Sequence, residues 1–330
     1  MTKHNSGGEL NRRKSAILAI ALSLGLVLAG CGADKPADSA DDDSTETTEA
    51  GTATEGAFTV KLSADGIEVP AEISAGVVEV TVETDIEEGE VNFTKVAAGT
   101  TEEDFRAAIA SATSGGEIPA LLEATAGLHG TQQIQIPEGD LFVWSDPPRG
   151  DEESEEAEGE AAAEGEEAEG GGEEDKPDPA AFIVATTKAT GDAEGEIPDT
   201  GSITAKEYSF DVDVHAGEEK FYFSNEGPDQ LHHVVLVDFG DIDKKTVEDN
   251  LEAFLQTEGE GEPPAALKDV DPEKAFAVGG SGVFTPGLGG TGDAKFESGN
   301  TYAAICFLQD RTGGAPHVFS KGMRTVFTVE

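Results

Sequence analysis

Short runs in which apolar and polar residues alternate recur from Phe58 to the carboxyl end of the chain. Gly, Pro and Asp separate these runs, and such residues favour turns. A period of two is typical of strands that bury one face. The sequence therefore predicts an all-β protein built of β-sandwiches, with two short inserted helices at Asp104–Ala112 and Thr246–Gln256. The predicted strands are Phe58–Leu62, Val77–Val82, Val91–Val96, Gln133–Ile136, Leu141–Trp144, Ile203–Phe210, Lys220–Ser224, His233–Val237, Ala275–Val278, Ala294–Phe296, Tyr302–Phe307 and Val326–Val329.

The amino terminus has the pattern of a secretory leader. Four basic residues precede an apolar stretch, Ser15–Leu28, that is short for a membrane-spanning helix. The sequence Leu28-Ala-Gly-Cys31 then resembles the bacterial lipobox, in which cleavage before the cysteine is followed by acylation of its thiol. We expect residues 1–30 to be a lipoprotein signal peptide, Cys31 to be the lipid attachment site, and the protein to face the extracytoplasmic side of a membrane.

The charge of the chain excludes one class of partner. The formal net charge is −47 over 330 residues, and it becomes about −50 once the basic leader is removed. Such a field repels nucleic acids and anionic surfaces. Residues 31–56 are acidic and poor in large apolar side chains, which predicts a disordered stalk between the bilayer and the folded part.

Two sets of strand-like runs divide the rest of the chain into two predicted domains. Residues 57–190 form the first, with an acidic Glu/Gly/Ala-rich insertion at 150–179, and residues 200–330 form the second. Loose matches between the two sets indicate an internal duplication. The first domain has no cysteine or methionine, so a sulfur-containing metal site is predicted only in the second.

Sulfur is scarce in this chain. Cysteine occurs only at Cys31 and Cys306, and methionine only at Met1 and Met323. With Cys31 acylated, Cys306 has no partner for a disulfide, and an unpaired thiol in an oxidising compartment requires burial, metal binding or a redox role.

Three motifs of the second domain resemble those of the cupredoxin family, which includes plastocyanin. Phe223-Ser-Asn225 followed by His232-His233-Val-Val resembles the strand and return that carry the first copper histidine. Tyr302-Ala-Ala-Ile-Cys306 is similar to the strand that delivers the thiolate, and Gly322-Met323 precedes a final strand as in that family. The resemblance implies tandem cupredoxin-like Greek-key sandwiches, the first of them degenerate.

The same resemblance implies a ligand set. His232 and His317 would supply imidazoles, Cys306 a thiolate and Met323 a weak axial thioether, a set that suits both oxidation states of copper. His233 and Asn225 fall where the family keeps supporting residues. The implied function is one-electron transfer with a redox partner protein, or copper holding, and not enzymatic catalysis.

One departure from the family pattern keeps alternatives open. Ten residues separate Cys306 from His317, more than blue-copper loops usually hold, although Gly313, Gly314 and Pro316 supply turn chemistry. A metal-free cupredoxin-like surface module with a structural or ligand-binding role, or a site for another transition metal, fits the residues as well. Gly287–Gly292 matches the letters of a dinucleotide-binding loop, but a strand-like run follows it, so we interpret it as a plain loop.

Overall fold

The structure is a computed structural model that describes residues 56–86, 89–114, 116–146, 177–195, 197–198, 200–257 and 262–330. The described residues form two compact units, the first within 56–195 and 311–313, the second within 197–310 and 314–330. The predicted signal peptide, Cys31, nearly all of the stalk and most of the acidic insertion lie outside the described residues. Within the described part of the chain, every helix is too short or too polar to cross a bilayer.

The first unit is a mixed β-sheet with one helix. The elements are β1 (Ala57–Ser63), β2 (Gly66–Glu68), β3 (Glu72–Thr84), β4 (Val91–Val96), α1 (Glu102–Thr113), β5 (Leu122–Leu128), β6 (Thr131–Ile136), β7 (Gly139–Ser145) and β8 (Ile183–Glu194). The longest strand, β3, pairs in parallel with β1 and β8 and antiparallel with β6. The sheet continues from β8 through β7 and β4 to β5.

Aromatic side chains and paired hydroxyls fill the core of this unit. Phe105 of α1 stacks on Phe142 at 4.3 Å between ring centroids. Trp144 donates from Nε1 to Oγ1 of Thr94 at 2.9 Å, and Thr94 shares a 3.1 Å hydrogen bond with Thr125. The polar groups of Trp144, Thr94 and Thr125 therefore satisfy one another.

The second unit is a mostly antiparallel β-sheet with three short helices. The elements are β9 (Ser202–Ala205), β10 (Phe210–Asp213), β11 (Lys220–Asn225), β12 (Val235–Asp238), α2 (Lys244–Leu255), α3 (Pro272–Phe276), β13 (Gly279–Gly280), β14 (Gly289–Ala294), β15 (Thr301–Ile305), α4 (His317–Ser320) and β16 (Arg324–Thr328). These strands pair in the order β10, β9, β11, β14, β13, β12, β15, β16, and of these pairs only β9 with β11 is parallel. The Thr325 hydroxyl of β16 donates to the Phe210 carbonyl of β10 at 3.0 Å, so the two end strands of the series lie in contact.

Helix α2 covers one face of this sheet. Its apolar residues recur at helical spacing, and it begins where the Asp243 side chain accepts a hydrogen bond from the Thr246 amide at 3.0 Å. Phe254 packs on Phe239 at 5.2 Å. The same apolar cluster extends to Phe307, the residue after Cys306. The core therefore supports the segment that carries the thiol.

The all-β fold class with short inserted helices is confirmed, and both predicted helices are present. The tandem arrangement of two related sandwiches stays a prediction. The strand predicted at Ala275–Val278 is wrong, because helix α3 begins at Pro272 and the Ala275 amide donates to the Asp271 carbonyl at 2.9 Å. Proline is well tolerated in the first turn of a helix.

Two further predictions need correction. The run Ile203–Phe210 is not one strand but the hairpin of β9 and β10, with its turn at 206–209. The glycine-rich run is not a plain loop, because Gly289–Gly292 belongs to strand β14. A side chain at Gly289 would collide with the Phe223 carbonyl, and one at Gly292 would collide with the Phe221 ring. These glycines therefore serve close strand packing.

Candidate metal centre

Cys306 lies at the end of the central strand β15. Every residue of this strand is buried, and the strand pairs with β12 on one side and β16 on the other. At its start, the Tyr302 hydroxyl accepts a hydrogen bond from the Glu297 amide at 2.8 Å. Cys306 itself is fully buried. The thiol thus directly follows a buried strand that is paired on both sides.

His232 is positioned by the connection between β11 and β12. Its backbone pairs with Phe284 in both directions, at 3.0 and 2.9 Å. Asn225, the last residue of β11, is buried and donates from Nδ2 to the carbonyls of Phe284 at 2.7 Å and Gln230 at 2.9 Å. Its Oδ1 accepts from the Gly227 amide at 3.0 Å. Asn225 therefore supports the loop that presents His232.

The ten-residue connection after Cys306 returns His317 to the thiol. Gly313 and Gly314 both adopt positive φ, at 78° and 114°, which glycine allows at little energetic penalty. The chain then enters the short helix α4, where the His317 amide donates to the Leu308 carbonyl at 2.6 Å and the Val318 amide donates to the Cys306 carbonyl at 3.0 Å. The ten-residue connection therefore brings His317 next to Cys306.

The three side chains converge on one buried point. Cys306 Sγ lies 3.8 Å from His232 Nδ1 and 3.5 Å from His317 Nδ1. The donor atoms of these residues all lie within 4.8 Å of one another. Nitrogen and sulfur donors bound to one first-row metal ion at ordinary bond lengths and at 110–120° are about 3.5–3.8 Å apart. Both nitrogen–sulfur distances fit a shared ion.

The two ring nitrogens of His232 have different surroundings. The ring is buried, and Nδ1 is the nitrogen that lies next to the thiol. The backbone of Glu207 lies near the ring and raises its pKa against the effect of burial. Nδ1 is therefore the nitrogen that can bind an ion shared with Cys306.

Met323 lies beside both the thiol and the second histidine. It is fully buried, its amide donates to the His317 carbonyl at 3.1 Å, and its carbonyl accepts from the Cys306 amide at 3.3 Å. These backbone bonds place Met323 next to the residues that carry the thiol and the second imidazole. The donor set of two imidazoles, a thiol and a thioether is the set that copper takes in trigonal electron-transfer sites.

His233 has a different role from His232. Its Nε2 accepts a hydrogen bond from the Phe307 amide at 3.0 Å, and its ring is buried. It is absent from the group of converging donors, which comprises His232, Cys306 and His317. His233 therefore ties the strand after His232 to the residue after Cys306, as a supporting residue does.

Burial sets the protonation of the donors. It lowers the pKa of His232 to about 4, with repulsion from His317 as the second cause, and it lowers the pKa of His317 against the opposing effect of Asp310. Burial also lowers the pKa of His233 to about 3. It raises the pKa of the Cys306 thiol to about 12, although backbone amides of His233 and Leu308 act in the opposite direction. At neutral pH the imidazoles therefore offer free lone pairs, and a metal ion must displace the thiol proton.

Three residues next to this centre were not identified from the sequence. Asp310 Oδ1 lies 3.2 Å from His317 Nε2 and accepts from the Tyr208 hydroxyl at 3.0 Å, while Oδ2 lies 2.9 Å from Lys321 Nζ. Burial opposes ionisation of Asp310, but hydrogen bonds from Lys321 and Tyr208 outweigh it and lower its pKa. The only feature of the sequence that could have pointed to Asp310 is its position between Cys306 and His317.

Comparisons with known proteins do not identify a family. Neither a protein-family model nor a curated protein matches the chain. Solved structures with partial similarity include an auracyanin from Roseiflexus castenholzii, at 21% identity over 39% of this chain and 94% of that chain, with a TM-score of 0.24. Auracyanin A of Chloroflexus aurantiacus, described as a blue copper protein, has 22% identity over 40% of this chain and 99% of that chain, with a TM-score of 0.25.

A laccase-like multi-copper oxidase from Ochrobactrum sp. also has weak similarity, at 10% identity over 83% of this chain and 61% of that chain, with a TM-score of 0.19. At such scores none of these likenesses carries an argument. The prediction that the chain is not an enzyme stays a prediction. The functional conclusion has to rest on the residues of the centre itself.

Proposed function

We propose that the second unit binds one copper ion through His232, Cys306 and His317, with Met323 as a weak fourth ligand. The observation that carries this proposal is the pair of imidazole nitrogens 3.8 and 3.5 Å from a single buried thiol. Copper in such a centre supplies one-electron exchange at a nearly constant geometry. The role is electron transfer with a redox partner protein, or copper holding.

The chemistry of the donors supports copper over harder ions. Thiolate and thioether sulfur favour soft metals, and imidazole suits copper and zinc alike. A buried methionine beside the cluster supports copper, because structural zinc sites take their ligands from Cys, His and carboxylates. The full burial of all three converging residues supports a dry, closed centre.

We also propose that the protein works on the extracytoplasmic side of a membrane, anchored through acylated Cys31. The support is the sequence of the leader and its Leu28-Ala-Gly-Cys31 ending. The partners are then the lipid bilayer and a redox protein, and the net charge of −47 argues against nucleic acid.

Addition of Cu(II) to the purified chain tests the copper site. The chain should carry Cys31→Ser so that Cys306 is its sole thiol. We expect an intense thiolate-to-copper absorption band at one equivalent, which Cys306→Ser removes. Absence of the band in the parent chain would refute the proposal and leave a metal-free module as the function.

Detergent phase partitioning tests the anchor separately. We expect the full chain, expressed in a bacterium, to enter the detergent phase, and Cys31→Ser to move it out of that phase. Equal partitioning of both forms would contradict acylation at Cys31 without touching the copper proposal.

A further inference from the structure

A carboxylate stands on the outer side of the second histidine. His317 is fully buried, whereas the side chain of Asp310 is 21% exposed, and its Oδ1 lies 3.2 Å from His317 Nε2. The opposite ring nitrogen, Nδ1, lies 3.5 Å from Cys306 Sγ. Asp310, His317 and Cys306 therefore form a line from the surface to the thiol.

The hydrogen bond to Asp310 determines which nitrogen of His317 carries the proton. An ionised carboxylate can only accept, so Nε2 must be the donor. In a neutral imidazole the other nitrogen then has a free lone pair. This lone pair is the one directed at the thiol.

Asp310 is itself held from two sides. The Tyr208 hydroxyl donates to Oδ1 at 3.0 Å, and Lys321 Nζ lies 2.9 Å from Oδ2. The ammonium of Lys321 also lies 5.0 Å from the centroid of the Tyr208 ring, within the range of a cation–π contact. Three mutual contacts thus join Tyr208, Asp310 and Lys321, which we call the clasp.

The clasp also covers the histidines. The Tyr208 ring lies edge-on to His317 at 5.3 Å and to His232 at 6.4 Å between centroids. Tyr208 is partly exposed, while both histidines have no exposed surface. The Tyr208 ring therefore shields part of both histidines from the solvent.

We propose that Asp310 is a positioning residue that fixes His317 as an Nδ1 ligand, and that Tyr208 and Lys321 hold Asp310 in place. This inference rests on the proposed copper function. Carboxylates behind metal-binding histidines fix the ring orientation and typically change metal affinity 10- to 100-fold. The clasp assigns that role to residues outside the ligand set.

The metal-free chain gives the first test, through the nitrogen chemical shifts of His317 in NMR. We expect a single tautomer with the proton on Nε2 in the parent chain, and a mixture of tautomers in Asp310→Ala. Asp310→Asn keeps an acceptor oxygen near Nε2 and should retain most of the original tautomer. An unchanged tautomer in Asp310→Ala would overturn the inference.

Copper affinity gives the second test, by chelator competition on the same variants. We expect a loss of about 10- to 100-fold in Asp310→Ala and a smaller loss, of at least threefold, in Asp310→Asn. Asp249→Asn, which removes a 2.8 Å lysine ion pair on helix α2, is the matched control and should change affinity less than twofold. Equal affinities for the Asp310 variants and the control would overturn the inference.

Failure of this inference differs from failure of the copper proposal. A parent chain with the thiolate-to-copper band and an insensitive Asp310→Ala variant refutes only the positioning role. A parent chain without the band refutes the copper function, and the NMR experiment still decides whether Asp310 sets the tautomer. Tyr208→Phe should keep the ring cover and lose part of the tautomer preference, which a purely steric role of Tyr208 would not produce.

Discussion

Substitution of Asn225 by alanine should loosen the loop that presents His232. The amide side chain makes three hydrogen bonds, to the carbonyls of Phe284 and Gln230 and from the amide of Gly227, at 2.7, 2.9 and 3.0 Å. Each such bond contributes about 1 kcal/mol net, and a buried group left unpaired adds to the loss. The Phe284 carbonyl keeps its bond from the His232 amide, so we expect a loss of about 2–4 kcal/mol in the free energy of unfolding.

Urea denaturation of the metal-free chain measures this loss. The three tyrosines, Tyr208, Tyr222 and Tyr302, lie in the second unit, and the single tryptophan, Trp144, lies in the first. Near-ultraviolet signals of tyrosine therefore follow the affected unit, and tryptophan fluorescence follows the other. We expect the midpoint of the tyrosine transition to fall without a change in its denaturant dependence.

The matched control is Asn250→Ala on helix α2. Its side chain makes one partly buried hydrogen bond, to the Thr246 carbonyl at 2.8 Å, so the expected loss is about 0.5–1 kcal/mol. Copper affinity should fall in Asn225→Ala and stay the same in the control. An Asn225→Ala chain as stable as the control, with unchanged affinity, would refute the supporting role of Asn225.

Three further predictions concern the site and the first unit. Met323→Leu preserves volume, so it should change the unfolding free energy by less than about 1.5 kcal/mol while altering the reduction potential of the copper-loaded chain, which voltammetry measures. Copper at one hundred times its dissociation constant should stabilise the chain by about 2.7 kcal/mol, and His317→Ala should abolish the shift in thermal melts. Burial, with repulsion from Asp146 as a second cause, raises the pKa of Glu90 from 4.5 to about 8. Since the folded state then holds the proton more tightly than the unfolded state, stability should fall as pH rises from about 4.5 to 8. One carboxylate oxygen of Glu90 is buried, although the residue as a whole keeps partial exposure. Glu90→Gln should therefore stabilise the first unit at pH 9 by about 2 kcal/mol. Glu83 is exposed, so Glu83→Gln is the control and should leave the stability unchanged.

Regular alternation made most of the fold predictable. Strands such as Val91–Val96 and Lys220–Asn225 carry β-branched and aromatic residues between clear turn signals, and they were expected within a residue or two of their ends. Helix α1 was expected because Thr101 and Asp104 form a capping box. Residues within or next to each of these elements determine its secondary structure, so a single sequence is enough to predict them.

The two main errors have different causes. The Gly289–Gly292 run has few side chains that reveal a strand, and its conformation depends on close contact with Phe221 and Phe223, which lie far away in the sequence. Ala275–Val278 is apolar enough for a strand, but the Asp271-Pro272 start directly before it favours a helix. The first outcome could not be predicted from local sequence, whereas the second had a local signal.

The candidate ligands were predictable and their supporting residues only in part. Scarcity of sulfur singled out Cys306 and Met323, and the resemblance to cupredoxin motifs implied His232 and His317. The clasp was not predictable, because Tyr208 lies about one hundred residues before Asp310. Tyr208 lies in the turn between β9 and β10, and Asp310 lies in the connection after Cys306. Only the folded chain brings the two residues together.

X-ray absorption of the copper-loaded Cys31→Ser chain tests the central claim most directly, because it counts the atoms bound to the metal. We expect one sulfur at about 2.2–2.3 Å and two imidazole nitrogens at about 2.0 Å, with the sulfur lost in Cys306→Ser. A shell of oxygen and nitrogen alone, the same with or without Cys306, would place copper on the acidic surface and contradict the account.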